Sequence, residues 1–136
     1  MVEKGSDMDW FAEQVEAAIG ELPPELRAAV ENVAILVEEE ADRETCREIA
    51  LGHPLELLGL YRGLPLPYRG SHYAGAEPDQ VFLYRRAILL YSRDNALEVA
   101  DCIRNTLIHE LGHYLGFDDE ELHRIEYGEP PEEGED

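Results

Sequence analysis

A single amphipathic helix, predicted over residues 96–115, constrains the fold of this chain more than any other feature of its sequence. Apolar residues recur along it at three- and four-residue spacing and form one stripe, made of Val99, Ala100, Ile103, Leu107, Leu111 and Tyr114. Gly116 follows directly, and glycine readily takes the left-handed conformation that ends a helix. A helix of this length has to bury its stripe against another layer of structure, so we expect it to pack on a sheet.

The acidic composition limits the classes of partner. The 136 residues include 31 Asp and Glu against 11 Lys and Arg, which gives a formal net charge of -20 at pH 7. This field repels phosphate backbones and anionic membrane surfaces, so we expect binding to neither nucleic acid nor membrane. The sequence has no long uninterrupted apolar stretch, and its first residues are polar and acidic. We therefore expect a cytoplasmic protein without a membrane span or signal peptide.

One compact domain suits this length, because 44% of the residues are of apolar types. We expect a single domain over residues 1–127, followed by a disordered acidic tail at 128–136 that is rich in Glu, Gly and Pro. The two cysteines, Cys46 and Cys102, lie far apart in the sequence. They are therefore expected to be free and mostly buried thiols.

The rest of the chain alternates short helical and strand-like segments. We predict helices over residues 8–19, 24–30 and 118–127, a short helix or turn over residues 85–91, and strands over residues 32–37, 57–62 and 81–84. The run 32–37 is apolar or β-branched almost throughout, so we expect it to be covered on both faces and central in its sheet. Residues 38–51 are predicted as loop or a short exposed helix, and residues 63–79 as a long loop. Asn95 and Glu98 stand at capping-box spacing near the start of the long helix.

A His-Glu-Leu-Gly-His motif lies inside the long helix at residues 109–113. His109 and His113 are four residues apart, so their imidazoles project from one face about one turn apart and can share a metal ion. Glu110 lies on the flank of that face, where it can reach a metal-bound water without binding the metal, as the general base of a zinc hydrolase does. Gly116 lets the chain turn back, so that Asp119 could complete a three-ligand site with a fourth position open for water.

More than one residue could be the third metal ligand. Asp119 is favoured and His123 is the next candidate, whereas Asp118, Glu120 and Glu121 are expected to be solvated or helix-capping carboxylates. Two histidines on an internal helix can also merely pack and hydrogen-bond, or hold a structural metal without chemistry.

The whole pattern, His-Glu-x-x-His-x-x-Gly-x-x-Asp, resembles the minimal zincins, small bacterial zinc metallopeptidases with a matrix-metalloprotease-like domain. The likeness covers residues 9–127, including the turn at 21–26 and the strand-like segments at 31–37, 58–61 and 82–85. It implies an α+β, minimal zincin-like fold, in which a small mixed β-sheet packs on the active-site helix. It also implies that His109, His113 and Asp119 bind Zn²⁺, and that Glu110 is the general base of a metallopeptidase acting on peptide or protein substrates.

Two further functions stay open at this stage. One is a zincin-fold protein without catalysis that binds a protein partner, with the metal only stabilising the fold. The acidic tail and the loop at 63–79 are compatible with it. The other is a metal-dependent RNA-processing hydrolase, against which Glu110 and the net charge both argue.

Substrate contacts are predicted less directly. An extended peptide could lie along an exposed strand edge at residues 80–84 and gain main-chain hydrogen bonds. Tyr73, Tyr84 and His123 are candidate donors to the oxyanion of the reaction. His53 and His72 lie in segments rich in Pro and Gly, so we expect both at the surface.

Overall fold

The computed structural model describes residues 8–64, 79–118, 120–122 and 124. Within these ranges the helices are α1 (Met8–Gly20), α2 (Pro24–Ala29), α3 (Arg43–Glu48), α4 (Arg85–Asp94) and α5 (Val99–Leu115). The strands are β1 (Val33–Glu38), β2 (Gly59–Arg62) and β3 (Asp79–Tyr84). Helices and strands are interleaved along the chain, so the predicted α+β class is confirmed. None of the helices in these ranges is long and apolar enough to cross a membrane.

The described strands form one mixed sheet of order β1-β3-β2. β1 runs parallel to β3, with Ile35 opposite Val81, and β2 runs antiparallel to β3, with Gly59 opposite Leu83. Val81 and Leu83 are fully buried, because this face of β3 packs on α5. The small mixed sheet over the histidine-bearing helix is the arrangement expected from the sequence.

The prediction that residues 32–37 form a central strand covered on both faces is wrong. β1 lies at an edge of the described sheet, and Val33 is its only buried residue. Ile35 and Val37 pack against the main core but remain partly exposed. A short apolar run predicts a strand, but it does not predict the neighbours of that strand, which depend on pairing between distant segments.

α5 lies at the centre of the core. Four residues of its predicted stripe, Ile103, Leu107, Leu111 and Tyr114, are at most 4% exposed. Burial extends beyond the stripe because α1, α2 and α4 pack around the helix together with β2 and β3. The buried residues outside the stripe are Cys102, Thr106, Ile108 and Gly112. The helix that carries the motif is therefore held from several sides.

The N-terminal helices are confirmed. α1 buries Phe11, Val15 and Ala18, and it packs against α5. α2 begins at Pro24, as expected of a residue whose missing N–H is harmless in the first helical turn, and it buries Leu26. α3 is the short helix that was considered for residues 38–51.

The predicted capping box of Asn95 and Glu98 is wrong. α4 extends further than predicted, and the side-chain amide of Asn95 donates to the carbonyl oxygen of Tyr91 at 2.9 Å, so Asn95 belongs to the end of α4. Ala96 then takes a left-handed backbone with φ 54°, and α5 begins only at Val99. Asparagine favours the end of one helix as well as the start of the next. The spacing of Asn95 and Glu98 therefore did not distinguish between the two roles.

Several predictions fall on residues outside the described ranges. They concern loop residues 65–78, the end of the last predicted helix at 125–127 and the acidic tail at 128–136. A helical turn after α5 is present at residues 120–122 and 124, as predicted. The extent of the domain, residues 1–127, stays a prediction.

Candidate metal centre

The two histidines and the glutamate of the motif converge on one face of α5. One ligand atom from each of His109, Glu110 and His113 lies within 4.8 Å of the other two. The imidazole rings of the two histidines have centroids 4.6 Å apart and meet at 77°. All three side chains are partly buried. The four-residue spacing thus produces the convergence that was predicted from it.

The Glu110 carboxyl is enclosed between α5 and the edge of the sheet. Burial raises its pKa above the usual range, whereas the charge of His109 and the backbone N–H of Tyr61 lower it. The backbone N–H of Tyr61 is thus near enough to the carboxylate to lower its pKa, so a group from β2 contributes to the electrostatics of this site. A raised pKa makes the Glu110 carboxylate a stronger base than an exposed glutamate.

The pairing of β2 explains why the N–H of Tyr61 is available to the helix. Tyr84 donates its backbone N–H to the carbonyl oxygen of Leu58 at 2.9 Å. In an antiparallel pair the backbone groups of successive residues point alternately toward the partner strand and away from it. Tyr61 is three residues after Leu58, so its backbone groups point away from β3 and toward the side where Glu110 lies.

Gly59 allows β2 to lie this close to the motif. A Cβ atom at Gly59 would stand 2.6 Å from Cγ2 of Thr106 and 3.4 Å from Cγ of Glu110. Any side chain at Gly59 would therefore push β2 off α5 and move the N–H of Tyr61 away from the carboxylate. Neither Gly59 nor Tyr61 was singled out from the sequence, since both belong to a strand far from the motif along the chain.

The side chain of Tyr61 anchors the same strand. Its hydroxyl donates to Oδ2 of Asp79 at 2.6 Å, and its ring meets that of Tyr114 edge-on with centroids 6.1 Å apart. Asp79 is only 5% exposed, although it was predicted to lie in the loop at 63–79. Tyr61 therefore joins β2, β3 and α5 beside the metal-binding motif.

The chain reverses direction directly after α5. Gly116 has φ 85°, and Phe117 donates its N–H to the carbonyl oxygen of Gly112 at 2.9 Å, so the predicted glycine stop is confirmed. Asp118 and Glu121 then form a capping box: the N–H of Glu121 donates to Oδ1 of Asp118 at 2.8 Å, and the N–H of Asp118 donates to Oε1 of Glu121 at 2.9 Å. Both carboxylates are therefore used as helix caps, which was one of the roles expected for them.

Leu122 brings this following segment back onto the motif. It is 1% exposed, and a Cβ atom at Gly112 would collide with its side chain. The middle glycine of the motif thus leaves the space that Leu122 fills. Asp119 and His123, the two candidates for the third ligand, lie outside the described residues.

Two predictions about substrate contacts are wrong. β3 is hydrogen-bonded to β1 on one side and to β2 on the other, so residues 80–84 present no open edge to a peptide. Tyr84 is 2% exposed and lies on the face of β3 opposite to Val81 and Leu83. It lines a different groove, with Glu38, Asp42 and Arg62, so it does not lie beside His109 and Glu110 as an oxyanion donor would. Tyr73 lies outside the described residues.

The other side chains singled out in the sequence are His53, His72 and the two cysteines. His53 is exposed, as expected, and its Nδ1 accepts a hydrogen bond from the N–H of Leu55 at 3.1 Å. Cys102 is buried and Cys46 is partly buried, and both are free thiols. His72 lies outside the described residues.

A comparison with protein families agrees with this geometry. Residues 30–129 match the model of the zincin-like metallopeptidases, a span that includes all three strands and the whole of α5. The chain belongs to this zincin-like metallopeptidase family. No match was found among curated proteins.

Proposed function

We propose that this protein is a zinc-dependent metallopeptidase in which His109, His113 and Asp119 bind the ion and Glu110 is the general base. The observation that carries the proposal is the convergence of His109, Glu110 and His113 within 4.8 Å on one face of α5. Membership of the metallopeptidase family supports a peptide or protein as the substrate.

The donor set fits zinc. Zinc is commonly bound by imidazole nitrogens and carboxylate oxygens at about 2.0–2.2 Å, so donors of one site have to stand within a few ångströms of each other. The imidazole nitrogens of His109 and His113 meet this condition. Catalytic zinc sites have three protein ligands and keep one position for water, which two histidines and one carboxylate provide.

Asp119 is our proposed third ligand because the residues around it return the chain to α5. The capping box of Asp118 and Glu121 starts a helical turn immediately after the glycine stop, and Leu122 packs on Gly112 inside the motif. The described residues on both sides of position 119 therefore belong to a segment that packs back on α5. His123 is the alternative ligand.

The chemistry follows from the position of Glu110. When bound, zinc lowers the pKa of a coordinated water to about 7. The Glu110 carboxylate would take a proton from the attacking water, with the backbone N–H of Tyr61 beside it. After the carbonyl carbon of the scissile bond has been attacked, Glu110 donates that proton to the leaving amine nitrogen.

We place the substrate along β2, an edge strand of the described sheet, because β3 has no open edge. β2 runs next to Glu110, since a Cβ atom at Gly59 would stand 3.4 Å from Cγ of Glu110. An extended peptide beside this strand would bring its carbonyl groups over the two histidines. Main-chain hydrogen bonds to outward groups of β2 other than the N–H of Tyr61 would then supply affinity with little demand on sequence.

Glu110→Gln tests the proposal. The variant should keep its zinc and lose peptide hydrolysis by about 10²- to 10⁴-fold, because the amide cannot accept the proton. A quenched-fluorescence peptide library, read together with the zinc content of both proteins, measures the two quantities. Glu98→Gln is the matched control, since Glu98 is exposed, precedes α5 directly and makes no side-chain capping bond. Full turnover in Glu110→Gln would exclude Glu110 as the base.

A further inference from the structure

A groove of about 300 Å³ lies on the face of the sheet that points away from α5. Val81 and Leu83 of β3 are buried toward α5. Phe82 and Tyr84 alternate with them along the strand, so they point to the opposite face and form the floor of the groove. The walls come from the end of β1, from α3 with the residue before it, and from the end of β2. The described residues that line this groove are not among those that line the cavity beside the metal-binding motif.

The rim of the groove is acidic. Four carboxylates and one guanidinium line it, from Glu38, Asp42, Glu44, Glu48 and Arg62. The guanidinium of Arg62 donates to Oε1 of Glu48 at 2.7 Å and to Oγ1 of Thr45 at 3.1 Å, so its charge is used within the rim. Within the described ranges the other three carboxylates make no ion pair. The groove therefore attracts a cation.

The floor of the groove contains a buried hydroxyl that makes no hydrogen bond to any described residue. This hydroxyl belongs to Tyr84, which is only 2% exposed. Burial raises the pKa of its phenol to about 12, and the charges of Glu38, Arg62 and Asp42 also act on it. Because these three side chains all line the groove, the O–H end of the ring lies on the groove side and stays neutral. Buried hydroxyls are normally hydrogen-bonded, so this one indicates a ligand that brings a polar group to the floor.

The ring of Phe82 indicates the kind of cation. It is partly exposed and lies nearly parallel to the ring of Tyr84, at 6° with centroids 6.3 Å apart. A guanidinium stacks on such an aromatic surface, and its planar fork of N–H groups matches carboxylates. The carboxylates of the rim do not suit a metal ion equally well. In the described part of the chain, only the motif on α5 brings three or more ligand atoms of His, Cys, Asp or Glu within 4.8 Å of one another.

We propose that this groove binds the side chain of an arginine residue from a polypeptide partner. The hydroxyl oxygen of Tyr84 accepts a hydrogen bond from the guanidinium, the ring of Phe82 stacks on it, and the carboxylates of the rim balance its charge. A polypeptide suits the groove better than free arginine does. The α-carboxylate of a free amino acid would need a cation, and Arg62 is already paired with Glu48. This binding site does not depend on the proposed peptidase function, because it lies on the other face of the sheet.

A titration of the ¹⁵N-labelled full chain tests the ligand. The N-acetyl amides of arginine, lysine and citrulline are added in turn, and the backbone amide shifts of Thr45, Arg62 and Phe82 are followed. We expect saturable shifts with the arginine compound, and about tenfold weaker binding of citrulline, which has nearly the same shape but no charge. The lysine compound should bind about threefold more weakly, because it stacks less well on the ring.

Free arginine is the comparison that tests the source of the ligand. It should bind more weakly than its N-acetyl amide, because the acidic rim repels its α-carboxylate. Equal binding of the citrulline or lysine compound, or no shift with any of them, would overturn the guanidinium site. Tighter binding of free arginine would overturn the polypeptide as the source.

Two variants test the position of the site with the arginine compound. Tyr84→Phe removes only the hydroxyl and should weaken binding about threefold to tenfold. Glu38→Gln removes one charge of the rim and should weaken binding as well, with a larger effect at low salt. Glu21→Gln is the matched control, since Glu21 is exposed, lies outside the groove lining and changes the net charge equally. Unchanged affinity in both groove variants would overturn the proposal.

Discussion

Glu110 shows how a residue in a recognisable motif depends on residues outside it. Its position on α5 follows from the sequence spacing, but its pKa also responds to the backbone N–H of Tyr61, and its enclosure depends on the absence of a side chain at Gly59. A backbone donor has no sequence signature, and a glycine in a strand only hints at a close approach. The motif could therefore be predicted from the sequence, whereas the groups that orient its base could not.

Tyr84 gives a pH-dependent prediction at the same scale. Burial raises the pKa of its phenol from 10.0 to about 12. The folded chain therefore keeps Tyr84 neutral at pH values where the unfolded chain ionises it, so its contribution to stability is complete below pH 10 and is lost as the pH rises through 12. We expect the wild type to lose about 1–2 kcal/mol more than Tyr84→Phe over this interval, with allowance for solvent screening in the open groove.

Urea unfolding at pH 9 and pH 12 measures this difference. Tyr91→Phe is the control, because Tyr91 is an exposed tyrosine of α4, 46% accessible. An equal loss of stability in the wild type and in Tyr84→Phe would show that the fold does not hold this phenol in its neutral form.

At the scale of elements, α5 was predictable and the sheet was not. The apolar stripe and Gly116 give the helix its buried face and its end, and both are local in sequence. The start of α5 was predicted three residues early, because Ala96 closes α4 with a left-handed backbone that alanine rarely adopts. β1 was predicted as central although it is an edge of the described sheet, because the order β1-β3-β2 depends on a parallel pairing between distant segments.

The packing of the segment after α5 on the motif gives a prediction at this scale. In Gly112→Ala the new methyl group would enter the space filled by Leu122. We expect the free energy of unfolding to fall by about 1–3 kcal/mol, as is usual when a packed core is overfilled. Zinc affinity should fall with it, because the displaced segment carries the proposed ligand Asp119.

Gly20→Ala is the control for this substitution. Gly20 ends α1, and a Cβ atom there would meet nothing within 4 Å, so the change should leave stability the same or slightly higher. Urea unfolding and a zinc titration of both variants measure the two effects. Unchanged stability and affinity in Gly112→Ala would mean that Leu122 does not hold the segment in place.

At the scale of the whole molecule, some of the few basic residues form ion pairs between segments that are separate in the sequence. Arg85 pairs with Glu39 at 2.8 Å and Arg62 pairs with Glu48 at 2.7 Å. These pairs connect the start of α4 and the end of β2 to the chain between β1 and β2. Each exposed pair contributes little to stability on its own. In a chain of net charge -20 they also relieve repulsion among carboxylates that would otherwise stand together.

The class of the protein could be predicted from the sequence because much of the site lies on one helix, within a short motif. His109, Glu110 and His113 share consecutive turns of α5, so their convergence needs no knowledge of the tertiary fold. The match of residues 30–129 to the zincin-like metallopeptidases agrees with that prediction. The cavity beside His109 and Glu110 could not be predicted in the same way, since its walls come from α4, α5 and the 57–59 segment.

The zinc content of the purified chain tests the central claim most directly. Elemental analysis after incubation with zinc and removal of the excess should give about one zinc per chain in the wild type. His109→Ala and Asp119→Ala should each lose it, and His53→Ala should retain it, because His53 is an exposed histidine far along the chain from the motif. A wild type that takes up no zinc, or a His109→Ala variant that keeps it, would contradict the metal site on α5 and with it the proposed peptidase.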